Sequence, residues 1–425
     1  MKLAADPAAK GEVHADARVR SRDGPALAGH ATTAGSALPV NREAWLRRNR
    51  AAAVLITTAA MLAPGARPAP AQLSEVPEPA IEWQPRSYTC RRAPGPLTID
   101  GSLEEAAWKA ADWTDEFVDI EGTAGPAPSL RTRVKMLWDD RCFYVAAEME
   151  ESHLWATLTD HDAVIYHDND FELFIDPDGD SHEYYELEVN ALGTEWDLLL
   201  VRPYRDGGPA VDAWDIQGLM TGVSMSGTLN DPSDTDQGWS VEIAVPWSVL
   251  DDCAGRPCPP GDGDRWRVNF SRVEWQLDVS AGKYVKRTHT STGKPLPECN
   301  WVWSPQGIIA MHYPEMWGFV QFDAGASGSM GRDGEPTRPL PTSDVERAAW
   351  ALRRIYYRER NLYAAEGRFS GDVGELGLEA EEPGGHSWPP SIFVTPRGFE
   401  ASVTATDGTL VRIDELGRLT TEPAH

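Results

Sequence analysis

Long hydrophobic runs are scarce in this chain of 425 residues. The apolar run near the N-terminus, Ala51 to Ala63, is too short for a membrane helix, which needs about 20 residues. The mature chain is therefore expected to carry no transmembrane segment. Positive charge is also in short supply: 39 Lys and Arg face 66 Asp and Glu, a formal net charge of -27. That balance argues against nucleic acid or anionic lipid as partners, since both reward clustered basic residues. It suits divalent cations, or a salty medium in which an acidic surface stays hydrated. Cysteine is sparse, with 5 in the chain. Cys253 and Cys258, in a Pro- and Gly-rich loop, are the pair favoured for a disulfide, and the odd count leaves at least one thiol unpaired. No phosphate loop, Ser/His/Asp order or zinc spacing stands out, and no strand–helix–strand rhythm calls for a parallel sheet.

Arg47, Arg48 and Arg50 precede the apolar run, and Ala69-Pro70-Ala71 follows it. This is the pattern of a secretory signal, with cleavage expected after Ala71. The protein is then expected to be secreted, or periplasmic and associated with the cell envelope. The residues before the arginine cluster exceed what a signal needs. They are either a disordered extension or a sign that the start codon lies further on, and the second reading is preferred. Residues 1–71 hold 10 of the Lys and Arg but only 5 of the Asp and Glu, so the remainder is more acidic still.

Residues 72–87, rich in Pro and Glu, read as a linker or lead-in strand. From Tyr88 to Phe322 short runs alternate apolar and polar residues between clusters of Gly, Pro, Asp and Asn, the signature of antiparallel strands. The expected fold is mainly β: an antiparallel, jelly-roll-like β-sandwich over 88–322, with one short helix at Leu103–Ala110. Residues 323–341 read as a second linker. A small α+β tail, 342–425, follows, with a helix from Asp344 to about Ala365. Its stripe is Val345, Ala348, Leu352, Ile355, Tyr356, Leu362 and Tyr363, capped by Thr342 or Ser343. Three short strands follow the helix.

The chemistry concentrates on one hairpin. Phe171–Ile175 and Tyr184–Asn190 alternate acidic and apolar residues, so each buries one face and shows carboxylates on the other. Asp176, Asp178 and Asp180 stand at alternate positions around Gly179 in the connecting turn, as a calcium loop requires. The turn is not an EF-hand, because Leu187 occupies the twelfth position. Side-chain caps on a tight turn are the simpler explanation of the same pattern. Glu172 and Glu188 are predicted to share a surface. Such a pair can serve a glycosidase as acid and nucleophile, but neither residue sits in a catalytic motif. His312 follows Met311, yet neighbours on a strand point to opposite faces and cannot both ligate one haem iron. Of the 17 Trp, Trp108, Trp138, Trp239, Trp247 and Trp317 sit at framework positions, whereas Trp155, Trp196, Trp214, Trp301 and Trp303 are candidate sugar platforms.

Several motifs recur together: Leu97-Thr98-Ile99-Asp100-Gly101-Ser102 with Trp108, Val134 to Asp140 with Phe143-Tyr144-Val145, Asn169 to Asp176, Gly238 to Trp247, and Trp317-Gly318. In this order residues 88–322 resemble the family 9 carbohydrate-binding modules and their uncharacterised relatives. The resemblance implies a β-sandwich with structural calcium and a site where two tryptophans enclose the terminal sugar of a chain. It places Tyr166 at the first tryptophan, Glu172 at a sugar-binding carboxylate, Glu188 at an arginine, Asn190 at an asparagine and Met311 near the second tryptophan. Tyr166, Glu172, Glu188, Asn190, Trp196, Trp303 and Met311 are thus the expected sugar site, and Asp176, Asp178 and Asp180 the expected calcium site. The reading is an exported, non-catalytic protein that binds oligo- or polysaccharide in polysaccharide catabolism. The rivals are a glycosyl hydrolase or its accessory subunit, and a structural envelope protein whose tail docks to a partner.

Overall fold

The computed structural model describes residues 18–21, 73–325, 340–378 and 384–424. The arginine cluster, the apolar run and the cleavage position after Ala71 lie outside the described residues, as does most of the stretch expected as a second linker. The strands up to residue 323 are β1 (Arg18–Ser21), β2 (Ser87–Arg92), β3 (Val118–Asp119), β4 (Thr132–Trp138), β5 (Cys142–Glu150), β6 (Asp170–Asp176), β7 (Tyr184–Asn190), β8 (Glu195–Leu200), β9 (Ala210–Val211), β10 (Met220–Ser226), β11 (Gly238–Pro246), β12 (Arg265–Glu274), β13 (Leu277–Ser280), β14 (Lys283–Lys286), β15 (Cys299–Val302) and β16 (Gly318–Asp323).

One continuous sheet runs β1-β10-β11-β5-β4-β2-β16-β12-β6-β7-β8-β9 and folds back on itself as a sandwich. Nearly every ladder is antiparallel, but β2 pairs in parallel with both β16 and β4 and so joins the two halves. Alternation decides what each strand buries. Val134 and Met136 of β4, Phe143 and Val145 of β5, Phe171 and Leu173 of β6, and Leu187 and Val189 of β7 meet in one apolar cluster. The outer face of β5 is covered too. There Tyr144 and Ala146 pack under Ile99 and Trp108, the latter on a short helix α1 (Ala106–Ala110). Glu242 holds this cover down. It accepts from the backbone N–H of Asp100 and Gly101 and from the Trp108 indole. Gly101 has φ +86°, and a Cβ there would meet the backbone of Val223 and Ser224 at 2.5 Å, so only glycine fits. The five framework tryptophans are all buried. Cys253 and Cys258 are separate free thiols, not a disulfide: the Cys253 N–H donates to Tyr185 and the Cys258 thiol faces the Trp247 carbonyl.

Helix α2 (Trp247–Leu250) follows β11, and helix α3 (Asp344–Glu366) opens the tail. Ser343 caps α3 in a reciprocal box with Glu346, and Gly367, at φ 71°, ends it. Four strands follow, β17 (Ser391–Thr395), β18 (Gly398–Thr404), β19 (Leu410–Asp414) and β20 (Leu419–Glu422), one more than expected. The helix lies between this sheet and the sandwich, and residues 73–83, read as a linker, run along it. Val76 is buried and its N–H donates to Asn361, while Trp83 stacks on Trp350 at 5.4 Å. Charges close the contact. Arg205 pairs with Glu315 at 2.9 Å, Tyr357 donates to Glu315, and Tyr356 and Arg360 both donate to Asp206.

Candidate functional site

Register builds the site. Glu172 of β6 stands opposite Glu188 of β7 and Ser271 of β12, Asp170 stands opposite Asn190, and Phe174 opposite Glu186. Phe171, Leu173 and Ile175 point into the core, as do Tyr185, Leu187 and Val189. Their neighbours Asp170, Glu172, Glu186, Glu188 and Asn190 therefore share the outer face. Like charges directly opposite each other on a sheet repel, and here they are also removed from water: Glu172 is 5% exposed and Glu188 1%. Burial, with the Glu298 carboxylate nearby, pushes Glu172 up to about 7. Burial and the charge of Glu172 drive Asp170, Glu186 and Glu188 well above the ordinary carboxylate range.

Aromatic rings stand around this acidic floor. The Tyr166 N–H donates to Glu188 Oε2 at 2.8 Å and its carbonyl accepts from the Trp275 indole, which fixes the turn Ile165–His167. The Tyr166 ring is 37% exposed and lies 6.3 Å from that of Trp196, tilted by 34°. Tyr204, 51% exposed, sits edge-on to His312 at 4.6 Å. Partial burial, with the carboxylates of Glu186, Asp212 and Glu188, pushes its hydroxyl up to about 12. Burial and the charge of Arg205 hold His312 down to about 3, so its ring is neutral beside the Tyr184 hydroxyl.

The expected site residues separate into two groups. Tyr166, Glu172, Glu188 and Trp196 come together on the outer face. Asn190 joins them but is fully buried, its amide donating to the Leu158 carbonyl and to Asp168 and accepting from Leu192 and Thr194, so it shapes the loop. Trp303 is a correction. At 1% exposure it packs on Phe270 and fills the space above Gly318 inside the core, because β15 delivers it to the interior. Trp155 and Trp301 are buried as well, and Trp214 packs on Tyr185. Met311 is half-buried beside Trp317, whose indole donates to the Met311 carbonyl. Asp170, Glu186 and Tyr204 were missed. Asp170 and Glu186 were legible, each standing two residues before a named glutamate on the same strand. Tyr204 belongs to a turn with no periodic signal.

Asp176, Asp178 and Asp180 bring oxygens within 4.8 Å of one another, as one cation requires. Asp176, however, accepts from the N–H groups of Gly179 and Ser181, Asp180 accepts from that of His182, and the Arg418 guanidinium lies 2.8 Å from the second Asp180 oxygen. The turn as it stands fits the Arg418 contact, and a calcium ion would have to displace it. His161, Asp162, Asp197 and Asp215 form a further convergent group at the start of β8, from positions too far apart in sequence to be read together. A cavity of about 690 Å³ between sandwich and tail is lined by Trp83, Trp350, Arg267, Arg353 and Asp178, among others.

Residues 99–257 match the family described as carbohydrate family 9 binding domain-like. Over 156 residues the chain is 25% identical to exoglucanase XynX of Acetivibrio thermocellus, which covers 37% of this chain and 12% of that enzyme. It is likewise 25% identical over 156 residues to endo-1,4-beta-xylanase A of Thermoanaerobacterium saccharolyticum, covering 11% of it. The chain thus spans only a small part of the length of these curated relatives. A family 9 carbohydrate-binding module of Caldicellulosiruptor kristjanssonii, solved with cellotriose, aligns with 60% of this chain and 100% of its own at 16% identity and a TM-score of 0.37.

Proposed function

This chain carries a carbohydrate family 9 binding domain-like segment over residues 99–257, and from that premise we propose that it is an exported, non-catalytic carbohydrate-binding protein of polysaccharide catabolism. The observation that carries the reading is the outer face of β6, β7 and β8. Inside the matched segment, two exposed tyrosines and the half-buried Trp196 stand beside a polar floor. A sugar ring offers an apolar C–H face to such aromatic rings, while its hydroxyls need groups that donate and accept. An ionised carboxylate accepts, and a carboxyl that burial keeps protonated, as at Glu186, donates. Tyr166 and Tyr204 take the platform role, with Glu172 and Glu186 below them. Export rests on the arginine-flanked apolar run Ala51 to Ala63 and the small residues Ala69-Pro70-Ala71 that follow it.

A β-1,4-linked glucose oligomer is the first ligand to try, because a solved relative holds cellotriose. Calorimetric titration of the full chain with cellotriose and xylotriose should give binding that Tyr166→Ala and Tyr204→Ala each weaken at least tenfold. No heat with any member of an oligosaccharide panel sinks the reading. Release of reducing ends by the wild type but not by Glu172→Gln would replace it with glycoside hydrolysis.

A further inference from the structure

We infer that Asp170, Glu172 and Glu188 hold a hard divalent cation, calcium by preference, on the outer face of β6 and β7. Each offers a carboxylate oxygen, and the three lie within 4.8 Å of one another. Two oxygens bound to one calcium at about 2.4 Å can be no further apart than about 4.8 Å, so the set meets the span of a single ion. All three residues are more than nine-tenths buried.

A second observation comes from the hydrogen bonds. Asp170 Oδ2 and Glu172 Oε2 are buried with no hydrogen-bond partner. The Ser271 hydroxyl faces Glu172 from β12, and the other contacts are backbone N–H groups: Val273 on Asp170 at 3.4 Å and Tyr166 on Glu188 at 2.8 Å. Among the described residues no Lys, Arg or His pairs with any of the three, whereas guanidinium groups meet several other buried acids of this chain. Arg272 bridges Glu151 and Glu274, and Arg205 meets Glu315. A protein that neutralises buried carboxylates elsewhere has left these to another positive charge. The donors are all oxygen, with no sulfur or imidazole, which selects calcium or a similar hard ion over zinc or copper. The site does not depend on saccharide binding, and cation binding is read without sugar.

The test uses the full chain, stripped with chelator and titrated with calcium by calorimetry and by thermal unfolding. The wild type is expected to bind calcium, with Tm rising by several degrees when calcium stands about 100-fold above its Kd. Glu188→Gln and Asp170→Asn are each expected to remove that event and that rise. In chelator the order inverts: Glu188→Gln melts at or above the wild type, because one of the crowded charges is gone. A residue needed only for packing would lower Tm in both conditions. Asp178→Asn and Asp215→Asn keep the event. A wild-type Tm indifferent to calcium overturns the inference, as does an event lost in Asp178→Asn or Asp215→Asn but kept in Glu188→Gln and Asp170→Asn. Should Glu188→Gln fail to fold, Asp170→Asn alone carries the comparison.

Discussion

Glu172 and Glu315 are both buried acids, and they sit at opposite ends of the carboxylate range. On the face of β6 and β7 burial lifts Glu172 to about 7, with further carboxylates around it. Under α3 burial also works to lift Glu315, but the guanidiniums of Arg205 and Arg353 and the Tyr357 hydroxyl outweigh it and hold the group at about 2. Desolvation has one sign for every carboxylate, and the partners decide the outcome. The chain thus contains one region whose charges are satisfied from within, and another whose charges call for something from outside. The first is where the tail is fastened to the sandwich. The second is the proposed binding face.

The sharpest way to break this contrast is to remove the internal partner. Arg205→Met should destabilise the protein by about 3–5 kcal/mol in urea unfolding, because it leaves Glu315 buried without its nearest cation. Glu172→Gln, made in chelator, should cost nothing or raise stability. Equal losses in the two variants would erase the distinction. Acid sharpens it. The folded-state pKa of Glu315 lies below its unfolded value, so its contribution is present above about pH 4.5 and is lost as pH falls through 2. That loss is about 3 kcal/mol. Melting curves between pH 5 and 2 should show this slope, flattened in Glu315→Gln. On the outer face, Tyr204→Ala should weaken cellotriose binding at least tenfold while leaving the melting temperature almost unmoved, as suits a half-exposed ring. The smallest effect belongs to Arg418→Gln. Its partly exposed pair with Asp180 should contribute about 0.2–1 kcal/mol, and its removal should let calcium reach Asp176, Asp178 and Asp180 if that turn can take it.

Much of the architecture was legible from residue order alone. Alternation in Phe171–Ile175 and Tyr184–Asn190 placed the strands and assigned their faces, since successive side chains on a strand must point in opposite directions. The helix expected from Asp344 to about Ala365 is α3, and of the two expected caps Ser343 is the one used. Five framework tryptophans went to the core as expected. Other expectations failed for one shared reason. Arg353, Glu359 and Arg360 lie outside the expected apolar stripe, yet all three are buried: Ser181 and Asp206 meet the two arginines across the contact, and the Ser370 N–H donates to Glu359 within the tail. Trp303, beside a polar loop in the sequence, enters the core when β15 pairs with β12.

Local patterning determined which residues lie on strands, which face each side chain takes and where α3 begins and ends, because dihedral preferences and caps act over a few residues. The tertiary structure alone decided which buried charges found a partner. Arg205 and Glu315 are 110 residues apart, and Tyr356 and Asp206 are 150 apart. Whether a buried acid ionises is set by desolvation and by the charges within a few ångströms, and those distances exist only once the chain has closed upon itself.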